Sequence, residues 1–329
     1  MGKKGAYPLE PINLLFTSSG RRVSLIREFK ETYRRHGLEG RVVTADLKAT
    51  APTAFYSDRH YLVPRVTDPA YLDRLLEICR EERIAAVIPL IDTELTLLAE
   101  NRSRFEEAGI RLLLSSPLLN EIAFDKANTY QFFCAHDIPT PRVYTDGELA
   151  QGEHRFPLIV KPRTGSSGQG VTLVKNGREL DFFKEYIPGA MVQELALGEE
   201  YTLDAFVDWN GRIKTIVPRL RVETRAGEVS KGITRKDPEL LEAAAAVVEC
   251  LPGAVGCITL QCFKAEDGRI AFIEINPRFG GGAPLSIAAG ADFPLWTIQM
   301  CQGIDLGEPD YGWKDNLGMY RYDDAVFCG

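Results

Sequence analysis

From Ile12 onward, short apolar runs alternate with longer segments in which apolar residues recur every three or four positions. The runs INLLFT, RVVTA, AAVIPL and IRLLLS read as strands, and Arg21 to His36, Pro69 to Arg83 and Thr93 to Ala108 read as the helices between them. This alternation predicts βαβ units around a parallel sheet, with four strands in roughly the first 115 residues. After Pro117 the pattern changes. One helix is expected over Leu118 to His136, followed by the strands FPLIVKP, GVTLV, AMVQEL and EYTLDAFVD with glycine-rich or polar turns, which predicts a mostly antiparallel sheet. Asp237 to Cys250 is a further helix, and GCITLQCFKAE and GRIAFIEINP form a hairpin around Glu266-Asp267-Gly268. Pro284 to Gly303 is helical in pieces, and a last strand runs over Gly318 to Phe327. The change of pattern sets a domain boundary near 115 to 125.

A length of 329 residues suffices for two or three domains, and 45% hydrophobic with 26% charged residues is ordinary for a soluble globular protein. The net charge of -7 supplies no positive field for a phosphate backbone, so nucleic acid is not an expected partner. Seven cysteines, odd in number and without a CxxC pair, accompany only four histidines, which argues against a disulfide framework or a zinc site. They read as reduced thiols of a cytoplasmic protein. The apolar run before Thr17 is too short for a signal peptide, and Ala6 stands where myristoylation requires Ser or Thr. The stretch Phe279 to Ala291 holds four glycines and a proline and is closed by Asp292, so no membrane span is expected.

Chemistry concentrates in a few places. In IEINPRFGGG, at 273 to 282, strand alternation puts Glu274 and Asn276 on one face, and Gln261 on the preceding strand can add a third oxygen. Oxygen donors without His or Cys suit Mg²⁺ when phosphates complete its shell, although a solvated hairpin face gives the same Glu-x-Asn. Lys161 ends an apolar strand ahead of a loop containing Gly165, Ser166, Ser167, Gly168 and Gly170. Its free N–H groups can approach phosphate oxygens, yet the lysine precedes the glycines, so this is not a Walker loop, and a flexible turn reads equally well. Lys126 lies on a helix 35 residues earlier. The link Gln193, Glu194, Leu195, Ala196 can offer backbone groups to an adenine edge and Glu200 a carboxylate to ribose, against the plainer reading of an acidic turn. Arg219, Arg221, Arg225, Lys231 and Arg235 crowd one stretch that could clamp a carboxylate or phosphoryl group, or be a solvated strand face. The first turn, Thr17 to Arg22, could hold an anion on free N–H groups. Asp46 stands where a Rossmann ribose acid would, but without GxGxxG.

In this order the signals resemble the ATP-grasp superfamily, most nearly the ATP-grasp halves of the carbamoyl phosphate synthase large chain and related single-unit carboxylate–amine ligases. The resemblance spans nearly the whole chain and is strongest from 126 to 278. It implies a mixed α/β and α+β architecture: a Rossmann-like pre-ATP-grasp domain at 1–116, then an ATP-grasp domain at 117–329 with a small lid at about 140–195. For ATP it implies Lys126, Lys161, the loop Gly165 to Gly170, Gln193 to Ala196 and Glu200. For Mg²⁺, or Mn²⁺ in its place, it implies Gln261, Glu274 and Asn276. Arg278 is implied as the anion-stabilising catalytic residue, with Lys161 and Arg235 assisting.

The activity so implied is ATP-dependent ligation of a small carboxylate to an amine through an acyl phosphate, by a cytoplasmic homodimer. Phosphorylation of a small carboxylate or of bicarbonate shares the same site, and a non-catalytic nucleotide-binding regulator has no need of the full metal set. With one unit and neither a glutaminase segment nor a biotin-carrier arm, carbamoyl phosphate synthesis itself is not expected. Gly280, Gly281 and Gly282 are expected to leave an open floor for an extended acceptor. Ser18 to Arg21 and Asp92 to Glu94 are expected to shape the substrate side.

Overall fold

The computed structural model describes residues 11–165 and 168–328. Its first sheet is parallel and contains β1 (Asn13–Thr17), β2 (Val42–Asp46), β3 (Arg59–Leu62), β4 (Ile84–Pro89) and β5 (Arg111–Leu112), in the order β3-β2-β1-β4-β5. Helices α1 (Val23–His36), α2 (Tyr71–Glu81), α3 (Asp92–Glu100) and α4 (Arg102–Glu106) connect them. In α1 the residues Leu25, Ile26, Phe29 and Tyr33 form the apolar stripe that packs inward, and Gly37 ends the helix at φ 60° behind a basic last turn. The sheet has five strands where four were expected: β3 is half-exposed at the edge, so no apolar run announces it.

Two expected helices are each broken. The segment over 93–108 divides at Asn101 into α3 and α4, and that over 118–136 divides into α5 (Pro117–Phe124) and α6 (Lys126–Ala135). The second break is chemical: the Asp125 carboxylate accepts a hydrogen bond from the Ala127 N–H and restarts the helix as a cap.

A small antiparallel sheet follows, in the order β6-β9-β7-β8, built from β6 (Val143–Tyr144), β7 (Leu158–Pro162), β8 (Thr172–Val174) and β9 (Ala190–Glu194). It is flanked by α7 (Asp146–Ala150) and α8 (Gly177–Tyr186) and encloses its own core of Leu158, Val160, Val174, Leu180, Ile187 and Val192.

The third sheet is antiparallel, with the order β14-β13-β10-β11-β12-β15. Its members are β10 (Glu199–Val207), β11 (Ile213–Arg225), β12 (Glu228–Thr234), β13 (Gly256–Lys264), β14 (Ile270–Asn276) and β15 (Gly318–Tyr320), together with α9 (Pro238–Cys250), α10 (Ala283–Ala288) and α11 (Phe293–Cys301). The final strand stops at Tyr320 instead of reaching Phe327. The β11–β12 hairpin, absent from the strand pattern, carries the basic stretch.

One face of this sheet, with Tyr201, Leu203, Ala205, Ile258, Leu260 and Ile275, packs on α9 and α6. The other face is apolar only at one end, where Phe206, Val217 and Cys257 join Phe16, Leu25 and Phe29 of the first sheet and α1 in one continuous core. The rings of Phe16, Phe29, Phe279 and Phe293 run through it with successive centroids 4.7, 6.0 and 6.3 Å apart. The remainder of that face is polar and carries the candidate site. No helix among the described residues is long and apolar enough to cross a membrane.

Candidate active site

The register of β13 and β14 sets Gln261 directly opposite Glu274, with Thr259 opposite Asn276, so all three proposed metal ligands share one sheet face. Glu274 and Gln261 are half-buried and Asn276 is buried. Oxygen is the donor in each, Glu274 supplies the single carboxylate, and no cluster of three or more His, Cys, Asp or Glu stands elsewhere among the described residues as a metal site. Such a set fits a hard divalent ion that draws its remaining ligands from phosphate and water, and does not fit zinc.

Above this face stands the small sheet. Lys161 on β7 is buried, and its Nζ donates to Gln193 Oε1 at 2.7 Å; Gln193 Nε2 in turn donates to the Pro141 carbonyl at 3.0 Å. Burial pushes the Lys161 ammonium down to about 8 from an ordinary value of 10.5; the Glu274 charge pulls it upward and Lys126 lowers it further. Lys126 begins α6 and donates to the Gly165 carbonyl at 2.7 Å, while Arg163 pairs with the capping Asp125 at 2.5 Å. The two lysines are thereby brought to one place. Gly165, Gly168 and Gly170, at φ 111°, 65° and 73°, bend the loop after β7 as only glycine does readily; Ser166 and Ser167 lie outside the described residues.

Glu194 is exposed at the end of β9, its N–H bonded to the Arg142 carbonyl. Leu195 and Ala196 follow β9 directly, in the short link that leads into β10. Glu200 lies 3.0 Å from Arg221; burial raises its pKa, Arg221 lowers it, and Glu274 raises it again. Arg278 donates to both Asp92 oxygens at 2.7 Å and to Asn276 Oδ1 at 3.1 Å. Burial would lower its pKa, but Asp92 and Glu274 outweigh burial and hold it above the ordinary value. Glu274 therefore acts electrostatically on Lys161 from the small sheet, Glu200 from β10 and Arg278 from the turn after β14.

Other expectations do not hold. Arg235 is not in the cluster: Thr234 shares the Arg219 face, so alternation turns Arg235 to the opposite side, where it bonds Asn316. The basic stretch is no clamp either: Arg219 and Arg221 share the polar face two residues apart, but each basic residue takes its own partner, Glu200 in the case of Arg221. Arg219 is buried on Asp204, Arg225 pairs with Asp323, and Lys231 pairs with Glu223. The glycine floor is filled: a Cβ on Gly282 would stand 2.1 Å from Arg219 Nη1, and one on Gly281 would stand 2.6 Å from Arg22 Nη1. The first turn uses its own N–H groups, with Gly20 bonded to Asp46 at 2.8 Å and Arg22 to the Ser19 carbonyl at 3.0 Å. Asp46 thus anchors that turn. Asp92 matters more than its sequence context suggests: its link to Arg278 spans 186 residues, and its one local signal is its place just past the C-terminal end of β4.

If the neutral fraction of Lys161 limits nucleotide binding, affinity for a nonhydrolysable ATP analogue should weaken as pH rises through about 8. Binding titrations of wild type and Lys161→Arg check this, the arginine removing the alkaline limb. The stability sign is the reverse: a lysine depressed in the fold opposes folding below about 8, and that opposition fades between about 8 and 10.5.

Comparison with known proteins places two family models on the chain: a PylC-like N-terminal domain over residues 14–113 and an ATP-grasp domain over 123–282. A formate-dependent phosphoribosylglycinamide formyltransferase of Ignicoccus hospitalis is 25% identical over 82% of this chain and 72% of its own length. A D-alanine–D-alanine ligase of Pseudomonas fluorescens is 29% identical over 57% of this chain and 65% of its own. The biotin carboxylase domain of Hydrogenobacter thermophilus 2-oxoglutarate carboxylase, solved with MgADP and bicarbonate, superposes with a TM-score of 0.72 at 20% identity, covering 93% of this chain and 73% of that one. That last likeness is one of fold.

Proposed function

Because the chain belongs to the ATP-grasp superfamily, we propose that it is an ATP-dependent ligase that activates a small carboxylate as an acyl phosphate and transfers the acyl group to an amine. The observation that carries this reading is the convergence of Lys161, Glu200 and Arg278 on Glu274 from three separate parts of the chain. ATP lies between the small sheet and the polar face of the large one. Leu195 and Ala196 meet adenine, Glu200 the ribose, and Lys126 and Lys161 the phosphates. Gln261, Glu274 and Asn276 would hold Mg²⁺, or Mn²⁺ in its place, which neutralises phosphate charge when bound.

The reacting carboxylate attacks the γ-phosphorus, ADP leaves, and the amine then displaces phosphate from the acyl carbon. Lys161, already positioned by Gln193, meets the charge of the transferred group without reorganising. Arg278 is held by Asp92 and stabilises the oxyanion from that fixed position. No nucleophilic side chain is required. In this reading residues 1–116 wall the substrate side, 117–329 form the ATP-grasp domain with its lid near 140–195, and the protein works in the cytoplasm as a homodimer.

The test is Mg²⁺-dependent ADP release by the purified protein with pooled carboxylates and amines. Release that needs both is the expected result. Release with a carboxylate alone would replace ligation by phosphorylation, and nucleotide binding without release in any pool would count against an enzyme.

A further inference from the structure

A cleft between the start of α1 and the turn after β14 is lined by Arg21, Arg22, Gly280, Gly281, Met319 and Arg321. Its charges do not balance. Glu228 is 3.0 Å from Arg321 but 3.6 Å from Arg22 Nη1, too far for a hydrogen bond. Asp92, the other carboxylate acting on Arg22, is committed to Arg278. Arg22 Nη1 is sealed from solvent and has no hydrogen-bond partner. A buried donor left so opposes folding, the more when it is charged, and burial also lowers the Arg22 pKa. Gly281 permits this packing, since its Cβ would intrude on both Arg22 and Glu228. Three guanidinium groups face one carboxylate, beside the Arg278 that borders the polar face.

We infer that this cleft is the subsite for an oxyanion carried by the substrate, a phosphate or carboxylate group gripped by Arg22 and Arg321 with Arg21 at the mouth. The inference rests on the ligase reading for its neighbour, the reacting centre at Arg278. It names a specificity determinant: the ligase would select a substrate bearing a negative group apart from the one that reacts.

The test is titration of inorganic phosphate, and separately of acetate, into the full chain saturated with Mg²⁺ and a nonhydrolysable ATP analogue, so that the nucleotide's phosphate positions are filled. One anion should bind, about tenfold or more weakly in Arg22→Gln and in Arg321→Gln, with analogue affinity unchanged. The tighter anion identifies which group the substrate brings. Arg22→Gln should leave the melting temperature unchanged or raise it, since an underpaired buried charge is removed; Arg22→Lys should recover part of the affinity. Failure of both anions to bind, or equal binding by wild type and both glutamine variants, overturns the subsite. So does a melting temperature lowered in Arg22→Gln and restored in Arg22→Lys, which marks a structural arginine. If wild type does not bind the analogue, the ligase reading fails instead, and the same titrations on the free chain still decide the subsite.

Discussion

Glu274→Ala is expected to reduce nucleotide turnover by about 10²-fold or more while the chain remains folded. Glu274 supplies the only carboxylate among the three proposed metal ligands, so its loss removes the charge that a divalent ion and its phosphates need. It has no ion-pair or side-chain hydrogen-bond partner among the described residues, so little of the fold depends on it. Glu274→Gln, which keeps an oxygen and the shape but not the charge, should fall between. ADP release and thermal melting measured on the same preparations check both halves. Retained turnover in the alanine variant would remove the proposed metal face. The substitution should also lower the Lys161 pKa further, moving the alkaline loss of nucleotide affinity to lower pH.

The second large effect is on stability. Asp204 is fully buried and accepts hydrogen bonds from Arg219 at 2.7 and 2.9 Å, Ser286 at 2.6 Å and Thr259 at 3.2 Å. Arg219 is itself buried, with Nη1 already unpartnered. Asp204→Ala therefore strands a guanidinium in the interior and should cost about 3–5 kcal/mol. The urea midpoint at constant slope is the measurement. Replacing both partners, as Asp204→Leu with Arg219→Met, should recover most of that loss, because the larger penalty comes from one unpaired charge. A change under about 1 kcal/mol in the single variant would show that water reaches the pair.

The parts of the fold legible in the sequence were those whose partners lie nearby. INLLFT, AAVIPL and LIVKP are apolar because both faces or one entire face is covered, and Glu274 and Asn276 share a face through the two-residue period alone. β3 escaped notice because an edge strand is half-wet, and β11 because its last residues, Val222 to Arg225, are exposed past the core. Within the site, residue types were legible but pairings were not. Whether Arg219, Arg221 or Arg235 faces the nucleotide depends on register with β10 and β12, which no local pattern supplies. The same holds for the glycine run. Its composition suggested empty space, whereas Arg22 and Arg219 arrive from distant elements to fill it.

The small sheet holds Lys161 and Gln193 over a cluster of six buried apolar side chains among the described residues, separate from the cores beneath Glu274. A bound nucleotide would be clasped by two bodies of unequal strength, and the weaker one sets how long it stays. Trimming Val160 or Val192, neither of which is proposed to touch a ligand, would then shorten the residence time of ADP without altering the chemistry that made it. Where product departure limits the cycle, such a loosened variant would turn over faster than the native chain.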